Sequence, residues 1–382
     1  MKTRGIIVLV IGSFFFAHLA RAQWTSPKRL SWTSGDSRDP AIALSSPGTV
    51  HVVWAGETVG SMGIYYKKST NGGVTWMASR RLTWNSAYFW TPSITVDPSG
   101  NLHVVWSDNR TGLGEIFYMR STDEGVSWTA TQWLSWTSDL SASPVIVADP
   151  SGGLHLAWED YTPGPTSEIY YKRSTNGPWT ANKRLTWTAG SRRPALAADA
   201  FGRLHIAWES YTPGPTPEIY YKVSANGGDT WTAQKRLTWT SGWSQSPAII
   251  VASSGRLQAL WPDDPSGNFE IYGRGSADGG VSWTPIQRLS WTSGTTGPPS
   301  LVATASGSIY AFWNDDTPGN YEIYCRKSPD GGTTWNPVQR LCWTSGWSDA
   351  PVGIADTFGE VHLVWSDPYT IFNREIYYQR GK

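Results

Sequence analysis

The chain has 382 residues and nearly balanced charge, with 31 basic against 30 acidic side chains for a formal +1. So neutral a surface has no field to hold nucleic acid or anionic lipid, and neither is expected as a partner. The 25 tryptophans, 39 glycines and 25 prolines instead point to an all-β protein of many turns carrying large flat side chains.

In chain order, residues 1–22 read first as a secretory signal. Lys2 and Arg4 precede the apolar run Ile6 to Phe16, and Ala20-Arg21-Ala22 supplies the small-x-small pattern ahead of cleavage. Removing this segment takes away three basic residues and no acidic ones, which moves the formal charge from +1 to −2. No later apolar stretch is long enough to span a bilayer, and no cysteine follows the run to take a lipid. The expectation is a secreted protein, periplasmic or extracellular, monomeric and without a membrane span.

From Gln23 onward the chain repeats itself. The leucine of the phrase RL[ST]W falls at Leu30, Leu82, Leu134, Leu185, Leu237, Leu289 and Leu341, at intervals of 51 or 52 residues. A tryptophan closing segments such as LHVVW keeps step at Trp54, Trp106, Trp158, Trp208, Trp261, Trp313 and Trp365. Within one unit, Pro92 to Val96 is a short apolar run and DPSGN a turn. Leu102 to Trp106, Glu115 to Arg120 and Gln132 to Trp136 follow as further strands. Four short strands repeated seven times predict a seven-bladed β-propeller of antiparallel blades. The blades are expected at about 40–84, 92–136, 144–187, 194–239, 247–291, 299–343 and 351–378. The last has three strands, and the stretch 24–32 reads as a fourth strand lacking its first three. The two ends should therefore pair and leave no open sheet edge.

Between the third and fourth strands lies Ser121-Thr-Asp-Glu-Gly-Val-Ser-Trp128, which matches the Asp box S-x-D-x-G-x-[TS]-W. Residues 276–283 and 328–335 match fully, 69–76 and 224–231 carry Asn71 and Asn226 for the aspartate, and 174–179 is shortened. On these residues the chain resembles the bacterial neuraminidase repeat proteins, the Asp-box sialidase-like propellers. The box also has a structural reading. Asp123, Asp278 and Asp330, like Asn71 and Asn226, accept backbone N–H groups in a tight turn, while Trp76, Trp128, Trp231, Trp283 and Trp335 bury area between blades.

In an antiparallel blade the Asp boxes mark one face, the lower, and the blade-to-blade connections share the upper face with the 2–3 loops. Trp90, Trp243 and Trp347 stand in those connections in only some units, and a loop indole with polar neighbours can stack on a sugar ring. Leu237 and Trp239, with their counterparts in every unit, are read as scaffold packed against the next blade. His51, His103, His155, His205 and His362 occupy one slot and are read as structural hydrogen-bond partners, since sheets about 10 Å apart cannot share a metal. Carboxylates follow the second strand at Glu57, Asp108, Glu159, Asp160, Glu209, Asp263, Asp264, Asp315, Asp316 and Asp367. They are expected to fix loop backbone or a structural cation, and no other metal or cofactor is expected.

The resemblance implies what a sialidase centre needs: three arginines clamping a carboxylate, a tyrosine activated by a glutamate, and an aspartate as acid/base. Ser37-Arg38-Asp39-Pro40 keeps the arginine and proline of the family's first arginine motif without its aromatic and isoleucine. Arg192 and Arg374 can complete a clamp, with Tyr369 and Glu57 or Glu209 in the other roles. No spacing supports a Tyr–Glu pair, and the family's enzymes have six blades against seven units here. A two-carboxylate glycosidase using Glu159 and Glu209 is a further alternative. The preferred expectation is a non-catalytic binding module for carbohydrate or another surface ligand, with contacts from Trp90, Trp243, Trp347, Arg38, Arg110, Arg192, Asp264 and Asp316. A sialidase-type hydrolase comes second, and a scaffold for a cell-surface protein complex third. Cys325 and Cys342 lie on neighbouring strands of one blade and are expected to form a disulfide if the register brings them together.

Overall fold

The computed structural model describes residues 24–382 apart from 47, 59–60, 85–87, 163, 165, 176, 189 and 371–372, and the leader expected at 1–22 lies outside the described residues. Seven four-stranded antiparallel sheets form a seven-bladed propeller. Blades 1 to 6 span 37–81, 89–133, 141–184, 191–236, 248–288 and 300–340, and blade 7 spans 349–381 with 28–29 at its edge. Lys28 pairs with Tyr378 and Arg29 with Tyr377, so the N-terminal segment supplies the outer strand of the last blade, as the sequence predicts. An apolar cluster of Leu30, Val364 and Ile376 with Val52 and Trp54 joins blade 7 to blade 1.

Each blade's second strand is buried from its first residue through its closing tryptophan, as in Leu154–Asp160 and Leu204–Ser210, because a blade on either side covers both faces. The tryptophans that close these strands, Trp54 through Trp365, are at most 1% exposed. Six of them stack on an aromatic of the third strand, as Trp158 does on Tyr170 at 5.9 Å and Trp208 on Tyr220 at 6.0 Å. The fourth strand, by contrast, keeps only two residues in its ladder, such as Lys235–Arg236.

The first strand of five blades is bulged near its upper end, the register shifting between Arg38 and Ala41, Trp90 and Ser93, Ala142 and Val145, Arg192 and Ala195, and Asp349 and Val352. Inside each bulge a non-glycine residue is left-handed: Asp39, Thr91, Ser143, Arg193 and Ala350 have φ between 43° and 52°. Such conformations cost on the order of 1–3 kcal/mol each and gather where a structure positions functional groups. Here they ring the upper mouth of the central channel.

The disulfide expected between Cys325 and Cys342 does not form, and both thiols are free and buried. Cys325 lies opposite Gln339 and Tyr324 opposite Arg340, which puts Cys342 beside Glu322. Three residues of strand separate the two cysteines, about 10 Å, and the odd offset sends their side chains to opposite faces. A disulfide needs Cα atoms within about 7 Å.

Candidate functional site

The phrase RL[ST]W is explained by a partner in the same blade, the glutamate that opens the third strand. In blade 4, Glu218 is buried and accepts Arg236 Nη2 at 2.5 Å and the Thr238 hydroxyl. Arg236 Nε donates back to the Thr238 carbonyl at 2.6 Å. The same knot ties Glu168 to Arg184 and Thr186, Glu270 to Arg288 and Ser290, and Glu375 to Arg29 and Ser31. In blade 6 the knot joins Glu322 to Arg340, with Cys342 Sγ standing in the hydroxyl slot. The leucine points inward, Leu237 being fully buried, and the chain then curls around the guanidinium. The next residue is thrown outward. Trp32, Trp84, Trp136, Trp187, Trp239, Trp291 and Trp343 are 63–73% exposed. The expectation that Trp239 and its counterparts pack between blades is therefore wrong; the mortar is the second-strand indole.

On the upper face the recurring carboxylates close the loops. Asp108, Asp160, Asp263 and Asp367 accept the N–H of the buried indole two residues earlier at 2.7, 2.9, 3.2 and 3.4 Å. Hydroxyls of Ser141, Ser244 and Ser348, at the entry to the same blade, donate to the last three. Burial pushes the Asp367 carboxyl up to about 6. Asp264 accepts the backbone N–H of Trp243, and Asp316 that of Thr295.

The arginines are drawn to different partners. Arg110 lies 2.5 Å from Asp108 and stacks over Phe117 at 4.2 Å. Arg374 pairs with Asp349 at 2.9 Å and Asp36 at 3.5 Å, and Arg38 reaches Asp39 at 4.0 Å. Arg38 and Arg374 thus flank one acidic group, whereas Arg192 belongs to blade 4, three blades away in either direction around the ring. Arg192 lies between Tyr161 and Tyr211, 5.7 and 5.4 Å from their ring centres, and donates to Ser167 Oγ at 3.2 Å. The three are not gathered on one point. Glu57 is half-buried, and the side chain of Tyr369 lies outside the described residues.

The Tyr211 ring also meets Trp243 edge-on at 6.2 Å. The structure therefore brings Arg192, Trp243 and Asp264 together with Tyr161 and Tyr211, two residues the sequence reading passed over. Their signal was present in the twin loops YTPGPT at 161–166 and 211–216. Trp347 stands apart, 65% exposed and edge-on to Tyr321 at 6.0 Å, and Trp90 stacks on Tyr88 at 6.3 Å. At the mouth, Glu159 accepts the Arg193 N–H at 2.9 Å and Glu209 that of Ser246 at 2.7 Å. Burial raises the Glu159 carboxyl above its ordinary range, and the neighbouring Glu209 adds to the effect.

The lower face carries a repeated hydrogen-bond relay. His155 Nε2 lies 2.9 Å from Asp149 and its Nδ1 2.7 Å from the Tyr171 hydroxyl, which reaches the Gly227 carbonyl in the next blade's Asp box at 3.3 Å. His51, His103, His205 and His362 meet Tyr66, Tyr118, Tyr221 and Tyr378 in the same way. Burial lowers all five histidines, His51 and His205 to about 4. The Asp boxes behave as read. Asp123 accepts the Ser127 N–H at 2.8 Å and the Ser127 hydroxyl at 2.5 Å, donors that draw its carboxyl down to about 2. Asn71 and Asn226 hold Thr75 and Thr230 likewise, and Asp278 and Asp330 hold Ser282 and Thr334. Trp76, Trp128, Trp231 and Trp283 meet the relay tyrosines edge-on at 5.0–5.3 Å, and Trp335 packs against the cluster of Leu289 and Trp313. Asp356, Glu360 and His362 bring ligand atoms within 4.8 Å of one another, a group the sequence reading did not weigh. Glu360 there is held by Arg380 at 3.1 Å.

Comparison with known proteins agrees with this architecture. Residues 137–363, well over half of the chain, match the family described as BNR repeat-like domain. No curated protein matches. Among solved structures, a polysaccharide lyase described as an ulvan lyase superposes with a TM-score of 0.66 at 10% identity, covering 91% of this chain and 95% of that one. A protein of unknown function from Dyadobacter fermentans gives 0.62 at 12% identity, covering 94% and 99%. The NanB sialidase of Streptococcus pneumoniae gives 0.51 at 15% identity, covering 92% and 70%.

Proposed function

The chain belongs to the BNR repeat-like domain family, and on that premise we propose that it is an exported, non-catalytic carbohydrate-binding propeller. The observation that carries this reading is the upper-face cluster in which Arg192 lies between Tyr161 and Tyr211 with Trp243 against Tyr211, while Arg38 and Arg374, which a sialidase would converge with Arg192, are spent on aspartates three blades away. Flat aromatics beside a hydrogen-bonding cation suit the C–H face and hydroxyls of a sugar ring. Relatives by fold that are named as sialidase and polysaccharide lyase add support for carbohydrate as the ligand class. Glycan-array binding tests the reading, and Trp243→Ala or Tyr211→Ala is expected to weaken the best hit roughly tenfold. A fluorogenic sialoside should not be turned over. Turnover abolished by Arg38→Ala would overturn the proposal in favour of the hydrolase.

A second reading has one specific observation behind it. Glu159, its carboxyl raised by burial and by Glu209, sits at the strained mouth beside Arg193, and perturbed carboxylate pairs gather at catalytic centres. Cleavage of any array glycan that stops with Glu159→Gln would establish it.

A further inference from the structure

The seven outward tryptophans repeat with the blades, so packing of any one blade does not account for them. Six of them have a floor of their own. Arg29, Arg184, Arg236, Arg288 and Arg340 lie 5.5–5.9 Å from the ring centres of Trp32, Trp187, Trp239, Trp291 and Trp343. The next blade adds a second cation beneath three of these rings. Lys67 lies 4.9 Å from Trp32, Lys222 5.5 Å from Trp187 and Arg326 5.9 Å from Trp291. Blade 2 replaces the arginine with Trp133, and the support survives the change: Trp133 and Trp136 stack at 4.0 Å, 15° from parallel. An exposed indole ordinarily samples several rotamers; these are braced by neighbouring side chains while staying 63–72% exposed.

A groove opens beside three of the platforms where one blade meets the next. Cavities of about 1190, 470 and 260 Å³ are walled by Trp343, Trp32 and Trp84 respectively. In each the opposite wall comes from the following blade: Tyr377 and Gln379, then Trp76 and Met77, then Met119 and Trp128. The charge of each floor arginine is matched, since Arg29, Arg184, Arg236, Arg288 and Arg340 lie 2.5–2.9 Å from the buried glutamates, while Lys67, Lys222 and Arg326 donate to the backbone carbonyls of Leu30, Leu185 and Leu289. No unmatched charge from these pairs faces an incoming ligand. Each platform is also isolated from its counterparts by a whole blade, and a lone indole of about 200 Å² falls far short of the contiguous patch a protein partner or bilayer surface needs.

We propose that the seven rim indoles are equivalent stacking platforms, each taking one pyranose ring of a neutral glycan at a blade junction. The inference rests on the carbohydrate-binding reading above and extends it from one upper-face cluster to a sevenfold rim. Single sites of this kind are weak, and a polymer that bridges several gains affinity through local concentration without any new contact.

The test is affinity electrophoresis of the full chain in gels holding galactomannan, β-glucan or arabinoxylan, with sialylated mucin as the acidic comparison. Wild-type protein should be retarded by at least one neutral polymer. Trp239→Ala alone should weaken that retardation twofold or less, and replacing Trp32, Trp136, Trp239 and Trp343 together should weaken it more than tenfold. The same four positions changed to tyrosine should recover part of the loss, which separates a lost platform from a damaged fold. If the four-alanine variant binds the polymer like wild type while Trp243→Ala loses it, the rim proposal fails and the upper-face reading stands. Wild-type silence on every glycan overturns both, and retardation by mucin alone overturns the neutral class.

Discussion

The lower face and the outer rim repeat with the same period yet use their aromatics in opposite ways. Below, every polar atom of the motif turns inward: Asp149 to His155, His155 to Tyr171, Tyr171 to the next Asp box. At the rim the polar atoms close on one another just as fully, Glu218 with Arg236 and Thr238, and the closure expels the tryptophan. Recurrence alone therefore does not separate scaffold from site. What separates them is whether the motif's largest side chain is inside or outside its own hydrogen-bond circuit.

The sharpest way to break this contrast is to compare a second-strand tryptophan with one that follows the fourth strand. Trp158→Ala removes a fully buried indole and should destabilise the fold by about 3–5 kcal/mol, read by denaturant unfolding. Trp239→Ala, at the exposed end of the comparison, should cost less than about 0.5 kcal/mol. A similar cost for both would erase the distinction. Next in size is the knot itself. Glu218→Ala strands Arg236 and Thr238 and should cost about 2–3 kcal/mol, with a rise in indole fluorescence quenching by acrylamide as the brace under Trp239 loosens.

A smaller effect probes the lower circuit through pH. Burial holds His205 at about 4 in the folded chain against 6.5 in the unfolded one, so the unfolded chain takes up a proton as pH falls from 6.5 to 4 that the native chain refuses. The histidine's contribution is full above 6.5 and is lost on acidification through that window. Asp367, held up at about 6, has the opposite sign, so the useful quantity is a difference. His205→Gln, copying Gln258 of blade 5, should be less stable than wild type at pH 7, and the gap should shrink at pH 4.5. A gap that is constant with pH would contradict the neutral buried ring. Smallest of all, Asp123→Asn should move the melting temperature by no more than about 2 °C, because Asn71 and Asn226 already hold the same turn.

Blade number, the latch of Lys28 and Arg29 onto Tyr378 and Tyr377, and the Asp-box turns were legible because each follows from period and local turn chemistry. Trp239 was misread because alternation from Leu237 assumes a strand that continues. The ladder ends at Arg236, and beyond it a guanidinium rather than a neighbouring strand sets the direction of the chain. Cys325 and Cys342 were misread for want of register, which sequence separation does not contain. The clamp failed for a related reason: Arg38, Arg192 and Arg374 share an upper face, but residue type does not reveal that Arg192 lies three blades round from the others. Tyr161 and Tyr211 could have been found from their duplicated loop, had repetition within the upper-face loops been weighed as heavily as repetition in the strands.

The most direct test of the central contrast is oxidative footprinting of tryptophans by mass spectrometry, with and without the glycan that the array or gels identify. The account predicts that Trp32, Trp136, Trp239 and Trp343 react readily in the free protein and are shielded by the glycan, while Trp106, Trp158 and Trp208 stay unreactive throughout. Rim tryptophans that react equally with and without a bound glycan would contradict it.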